Sequence, residues 1–174
     1  PSFAGMFTRL FMKKYGVESK DLSIVSVKNH ANACLNPVAH IRNKVVLSRI
    51  TDERIINATN PIVADPLRQF DMCPVSDGAS AEAFVKIAGI ASATDTHYVA
   101  NRAEPTDLLA VRLSSQKAYE MAGTKPEDID VAELHDAFQI LEIAESEETG
   151  LFPRGTGHLA AREGKTEIHG EMPI

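Results

Sequence analysis

A histidine and an aspartate stand side by side in the stretch Val131-Ala132-Glu133-Leu134-His135-Asp136-Ala137-Phe138. The segment begins apolar and strand-like. It then takes on a helical pattern, with Ala137, Phe138, Ile140, Leu141 and Ala144 on one side. Asp136 is suited to cap that helix, its carboxylate accepting from the free N–H groups of the first turn. His135 is then expected on the strand-to-helix turn, beside the positive end of the helix dipole, where negative charge on a ligand is favoured. An imidazole there can donate a hydrogen bond to a substrate oxygen, directly or through a water. The competing reading is a capping or core histidine paired with Asp136, because His-Asp pairs are common.

Other reactive side chains form weaker patterns. No short ligand pair such as H-x-x-x-H or C-x-x-C joins His30, His40, His135 and Asp136, so the spacing argues against zinc. Neither a G-x-G-x-x-G nor a P-loop string occurs, which leaves nucleotide binding by those routes unsupported. Lys28, Asn29 and His30 fall late on an expected helix. Lys28 has the charge to meet a phosphate and His30 the chemistry to meet a ligand, against the alternative of a solvated helix face. Cys73 is expected to be a packed thiol. Glu142, Glu145, Glu147 and Glu148 are expected on a solvated face and not at a metal.

At 174 residues the chain can bury a real core as one domain or two small ones. A content of 44% hydrophobic and 24% charged residues is ordinary for a soluble globular protein. No apolar run approaches the roughly 20 residues that span a bilayer, and the N-terminus lacks a signal-peptide pattern. Two cysteines, Cys34 and Cys73, without a secretion signal suggest free thiols in a reducing compartment, so a cytoplasmic protein is expected. The net charge of −6 conceals a division: residues 1–50 hold 8 Lys/Arg and 2 Asp/Glu, the remainder 10 and 22. The basic part can attract a phosphorylated ligand or meet an acidic surface within an assembly.

The elements that must position these groups are mostly punctuated by glycine and proline. A helix is predicted over 3–15, with Phe3, Met6, Phe7, Leu10 and Phe11 on one face and Gly16 closing it. Ser19 is placed to cap a second helix to about Cys34, ended by Asn36-Pro37. A short helix is expected near Thr51–Asn57, and Asp65-Pro66 is a stop. Ser76-Asp77-Gly78 should turn the chain into a strand ending near Ile87, and residues 86–100 continue as a strand-like segment. A helix follows from Pro105-Thr106 to Ala122, closed by Gly123. Thr124 and Glu127 then have capping-box form, and Ile129, Val131 and Leu134 lead as a strand into the His-Asp turn. The α–β–α order over 106–149 argues a layered α/β domain. The tail after Gly150 is Gly-rich.

Several strings in this order carry a family resemblance. They are Gly16 after Lys13-Lys14-Tyr15, Val27-Lys28-Asn29-His30, Leu35-Asn36-Pro37, Ile62 through Leu67, Cys73 through Ala79, and Gly123 through Phe138. Together they resemble thiolases of the sterol-carrier-protein type and their archaeal acetyl-CoA acetyltransferase relatives, with His135–Phe138 as the family's "HDAF/HDCF" segment. The resemblance implies a thiolase-like layered α/β fold of which this chain is a central fragment. Residues 1–75 are then a helical loop domain and its connection to the core. Residues 76–87 form the last strand of the N-terminal half, and 88–174 the start of the C-terminal half. The passage from Ala83–Ile87 into Ala88–Ala91 is shorter than the family's connection.

The resemblance also implies an acyl-CoA C-acyltransferase, performing a Claisen condensation or the thiolytic cleavage of acetoacetyl-CoA or 3-oxoacyl-CoA. The alternative is a non-catalytic acyl-CoA- or lipid-binding thiolase-like protein or subunit. Of the family's catalytic groups only His135 is matched; Cys34 and Cys73 match neither catalytic cysteine, and no Gly-His-Pro string occurs. The 174 residues alone are therefore expected to be inactive. Lys28, Cys73 and Ser76 are substrate-binding candidates. No cofactor is expected beyond the coenzyme A thioester as substrate. A homodimer or homotetramer is implied, with hydroxymethylglutaryl-CoA synthase and a small acyl-CoA-binding protein as candidate partners, and with no nucleic acid or membrane.

Overall fold

The computed structural model describes residues 2–75 and 85–174. Ser76, its turn and most of the strand expected over 76–87 lie outside the described residues. So does the first part of the short connection at 83–88.

The first helix, α1 (Ser2–Tyr15), ends as the sequence implies: Gly16 takes a φ of 70° and donates to the Met12 carbonyl at 2.9 Å. Its apolar face is only half used. Phe7 and Phe11 are buried, while Phe3, Met6 and Leu10 remain exposed. The second helix, α2 (Ser19–Leu35), begins one residue differently from the expectation. Ser19 is already helical, and the start is fixed by the Glu18 N–H donating to the Asp21 carboxylate at 2.7 Å. Asn36, extended before Pro37, stops it.

Where one helix is expected over Thr51–Asn57, two short ones flank the spot, α3 (Leu47–Thr51) and α4 (Ile56–Thr59). Asp52 divides them. It adopts an extended backbone and its carboxylate takes the Arg54 N–H at 3.0 Å and the guanidinium at 2.7 Å. Thr51 turns its hydroxyl back to the Leu47 carbonyl and so closes a helix instead of opening one. A small antiparallel hairpin follows, β1 (Ile62–Ala64) and β2 (Leu67–Arg68), joined through a cis Asp65–Pro66 bond.

The next helix, α5 (Leu109–Ala122), stops at Gly123, with φ 67°. The capping pair beyond it is shifted by one residue from Thr124 and Glu127: the Lys125 N–H donates to Asp128 at 2.9 Å. Two more helices complete the order, α6 (Gln139–Glu148) and α7 (Gly157–Arg162). α7 falls in the Gly-rich tail and is not foreseen by the pattern.

The strands expected over 86–100 and 129–134 do not enter a sheet among the described residues. Alternating sequence favours an extended backbone, but only a neighbouring ladder makes a strand. Val85, Ile87, Ile90 and Val131 are accordingly exposed, and Ala132 donates to the Pro173 carbonyl at 3.0 Å.

The main core joins Phe7 and Phe11 of α1, Leu22 and Val25 of α2, Leu67 of β2, Ile140 and Ile143 of α6 and Ala161 of α7. It therefore draws on residues from both ends of the chain. Charge follows the same route. Lys14 pairs with Glu104 at 3.0 Å, Lys28 with Glu142 at 2.5 Å, Arg9 with Asp65, and Arg162 with Asp21. Part of the basic first segment is thus matched by the acidic remainder of the same chain.

Candidate functional site

The His135–Asp136 turn is held from three sides. On one, Met72 and Phe138 form an antiparallel bridge, and the Cys73 N–H donates to the Ala137 carbonyl at 3.1 Å. This pairing keeps the chain extended as far as Phe138, which occupies the N-cap position with φ −139° and ψ 135°. Asp136 therefore does not cap α6, contrary to expectation. Its carboxylate instead accepts from Asn29 Nδ2 of α2 at 2.5 Å, the second hold on the turn.

The third hold comes from α6 itself, whose Glu145 carboxylate accepts the His135 N–H at 2.9 Å. This folds His135 back along the second turn of the helix. The exposed imidazole keeps its capacity to donate to a ligand oxygen.

Beneath the turn lies a buried polar cluster. Lys28 Nζ donates to Glu142 Oε1 at 2.5 Å and to the Ile174 carbonyl at 2.8 Å, and the side chains of Lys28 and Glu142 are 5% and 4% exposed. Asn29 Nδ2 also reaches Glu142 Oε2, at 3.2 Å. Burial raises the Glu142 pKa above the ordinary carboxylate range, against the opposing pull of Lys28 and Asn29, and the Asp136 charge adds to the rise. Burial likewise raises Glu145, opposed by the His135 N–H.

The glutamates of α6 are thus not a solvated face. Glu142, Glu147 and Glu148 are buried. Glu147 accepts from the N–H groups of Gly155 and Gly157 at 2.7 and 2.9 Å. Glu148 meets Arg112 at 3.0 Å and Arg154 at 2.5 Å. Their partners come from distant segments, so the local pattern could not reveal them.

The remaining candidates separate. Lys28 is buried within α2's pairing to α6 instead of lying on a solvated face, and its ammonium is occupied by Glu142. Cys73 is exposed, not packed, and its main chain runs beside the His135 turn. Ser76 lies outside the described residues. His30 turns away, with Nδ1 3.0 Å from the Asn43 carbonyl and its ring against Phe70. Cys34 Sγ lies 3.2 Å from the Arg42 carbonyl. Among the described residues no group of three His, Cys, Asp or Glu is arranged to hold a metal ion. Asn29, which sequence reasoning left without a role, belongs to the site. Its signal was the unbroken polar triplet Lys28-Asn29-His30 inside a helix that also buries Leu22 and Val25.

Residues 91–174 match the family described as thiolase C-terminal domain-like. An acetyl-CoA acetyltransferase of Methanothermobacter thermautotrophicus is 36% identical over 187 aligned residues, which take in 100% of this chain and 47% of the relative. Human sterol carrier protein 2 is 29% identical over 192, covering 100% of this chain and 34% of its own. Among solved structures the Ltp2-ChsH2(DUF35) aldolase superposes with a TM-score of 0.83 and 29% identity, over 98% of this chain and 48% of that one. The chain spans about half the length, or less, of the curated relatives it matches.

Proposed function

This chain belongs to the thiolase family and has a thiolase-like α/β fold, and on that premise we propose that it is part of an acyl-CoA C-acyltransferase. The reaction is a Claisen condensation, or its thiolytic reversal, between acyl thioesters. His135 donates a hydrogen bond to the thioester oxygen as that oxygen gains negative charge. The observation that carries this reading is the exposed imidazole on a turn fixed by the Met72–Phe138 bridge, by Asn29 and by Glu145. A donor carried on a fixed main chain has less to reorganise on meeting charge, which favours transition-state stabilisation.

The nucleophile and the second acid/base have no match among these 174 residues, so the activity is proposed for the protein as a whole. Its substrate is an acyl-CoA, and the chemistry needs no further cofactor. A cytoplasmic homodimer or homotetramer, with hydroxymethylglutaryl-CoA synthase and a small acyl-CoA-binding protein as partners, belongs to the same proposal. Of the substrate-binding candidates, exposed Cys73 is the better placed, beside the turn, whereas Lys28 supports it from below.

The test is His135→Ala in the full-length protein with acetoacetyl-CoA. Turnover should fall by about 100- to 1000-fold, while acylation of the nucleophile stays detectable by mass spectrometry. His135→Asn should keep more activity, because an amide still donates. A folded His135→Ala protein with near-normal turnover refutes the role.

A second reading is favoured by the structural likeness to an aldolase: cleavage of a carbon–carbon bond in a hydroxyacyl thioester, without an acyl-enzyme. Acylated protein after exposure to acetoacetyl-CoA separates the two. A protein that binds acyl-CoA but performs neither reaction would be the non-catalytic module.

A further inference from the structure

We propose that Asn29 is a positioning residue for His135, holding the turn in place with one amide delivered by α2. The inference rests on the reading of His135 as a donor to a substrate oxygen. Asn29 and Asp136 are 107 positions apart in sequence, yet Nδ2 lies 2.5 Å from Asp136 Oδ2 and 3.2 Å from Glu142 Oε2. An amide nitrogen carries two hydrogens, so one group can serve both oxygens.

Those two carboxylates share one donor and, when both are charged, repel one another. Without a donor between them, the flexible member moves. Glu142 is fixed in the core by Lys28, so the movement falls on Asp136, and Asp136 is bonded to His135. Among the described residues, Lys28 and Asn29 of α2, the Ile174 carbonyl, and His135, Asp136, Glu142 and Glu145 are joined by hydrogen bonds around this point.

The residue type follows from the chemistry. An aspartate at 29 would add a third carboxylate to the pair. A lysine would place a full charge beside Asp136 and compete with Lys28 for Glu142. An asparagine links the two carboxylates without changing charge at any pH, and its short side chain has few rotamers in which to wander.

The experiment uses the full-length protein with Asn29→Ala, Asn29→Ser and Asn29→Gln. Two readouts are taken: kcat and KM for acetoacetyl-CoA thiolysis, and the imidazole Cε1–Hε1 NMR resonance of His135 at fixed pH. For Asn29→Ala the expected result is a loss in kcat of about 10- to 100-fold with KM nearly unchanged, the range for a displaced group near the reacting atoms. The His135 resonance should shift and broaden while that of buried His158 stays in place. Asn29→Gln should recover part of both, because it restores a donor. A general loss of stability would move His158 as well and would not respond to glutamine.

If Asn29→Ala does not fold, Asn29→Ser decides, since a hydroxyl keeps a polar group on α2 but is too short to span both carboxylates. A folded Ala or Ser variant with wild-type kcat and an unmoved His135 resonance overturns the proposal. If the wild-type protein shows no thiolytic turnover, the functional reading fails, and the resonance alone still decides whether Asn29 holds His135.

Discussion

Lys28→Met removes the cation from the buried cluster and nothing else of comparable volume. In the native structure Lys28 and Glu142 are 2.5 Å apart, with side chains 5% and 4% exposed. Breaking such a pair from one side leaves a buried carboxylate without its counter-charge, which costs about 3–5 kcal/mol. At roughly 2–4 °C per kcal/mol for a chain of this size, the melting temperature near neutral pH should fall by about 6–20 °C.

The loss should depend on pH, and its sign can be worked out. Glu142 has a folded pKa raised above 4.5, burial being the largest cause and Lys28 the first opposing one. The folded chain therefore keeps a proton that the unfolded chain releases near 4.5. The stability from this preference is complete below that pH and is lost as pH rises through the folded value. Removing Lys28 pushes the folded value further up, so the deficit of the variant should be small at about pH 5 and widen towards about pH 8. Thermal melts by circular dichroism at both pH values measure it. Lys28→Met/Glu142→Leu, which removes both charges, should regain most of the loss. Equal stability of Lys28→Met and wild type at about pH 8, or a deficit independent of pH, would refute the reasoning.

Two further outcomes follow from the packing. Asp71 is buried, its pKa pushed up to about 6, and among the described residues its Oδ1 has no hydrogen-bond partner while Oδ2 accepts from the Arg68 N–H. Asp71→Asn keeps that acceptor and removes the charge, so it should stabilise the chain by about 1–3 kcal/mol above pH 7 and have little effect near pH 4, read from urea unfolding at the two pH values. Gly5→Ala would place a Cβ 2.7 Å from the Ala64 carbonyl oxygen and 2.9 Å from that of Asp65. The forced retreat of α1 from the hairpin should lower the unfolding free energy by about 1–3 kcal/mol, read as a lower urea midpoint at unchanged m-value.

The features readable from sequence are those that local chemistry decides. Gly16 and Gly123 end their helices, Asn36-Pro37 ends α2, and the His135–Asp136 string leads directly into α6, where the candidate site is placed. The errors arise where a distant partner overrides a local preference. Asp136 has the chemistry of a cap, but Asn29 takes its carboxylate and Met72 keeps its neighbours extended. Glu147 and Glu148 sit on a polar stripe, yet main-chain N–H groups of the following loop and two arginines cover them. Thr51 could open a helix as well as close one, and Asp52 settles which by bonding to Arg54. The segment 129–134 has the alternation of a strand and no ladder neighbour among the described residues to make it one.

The buried side of α2 has a consequence for how that helix is specified. A stripe of leucines tolerates sliding or rotation by a fraction of a turn, since dispersion contacts are non-directional. α2 instead buries Asp21, Ser26 and Lys28 among its few apolar side chains, and each has a directional partner on a different element: Arg162, the Phe70 carbonyl and Glu142. These three contacts cannot all be kept if the helix moves along its axis or turns about it. The helix is consequently keyed like a lock with pins at several heights. Its alignment is read by polar atoms, and the same alignment sets how far Asn29 reaches. The usual ranking of helix positions should be reversed here, with the polar residues of α2 tolerating exchange less than its exposed apolar Leu35.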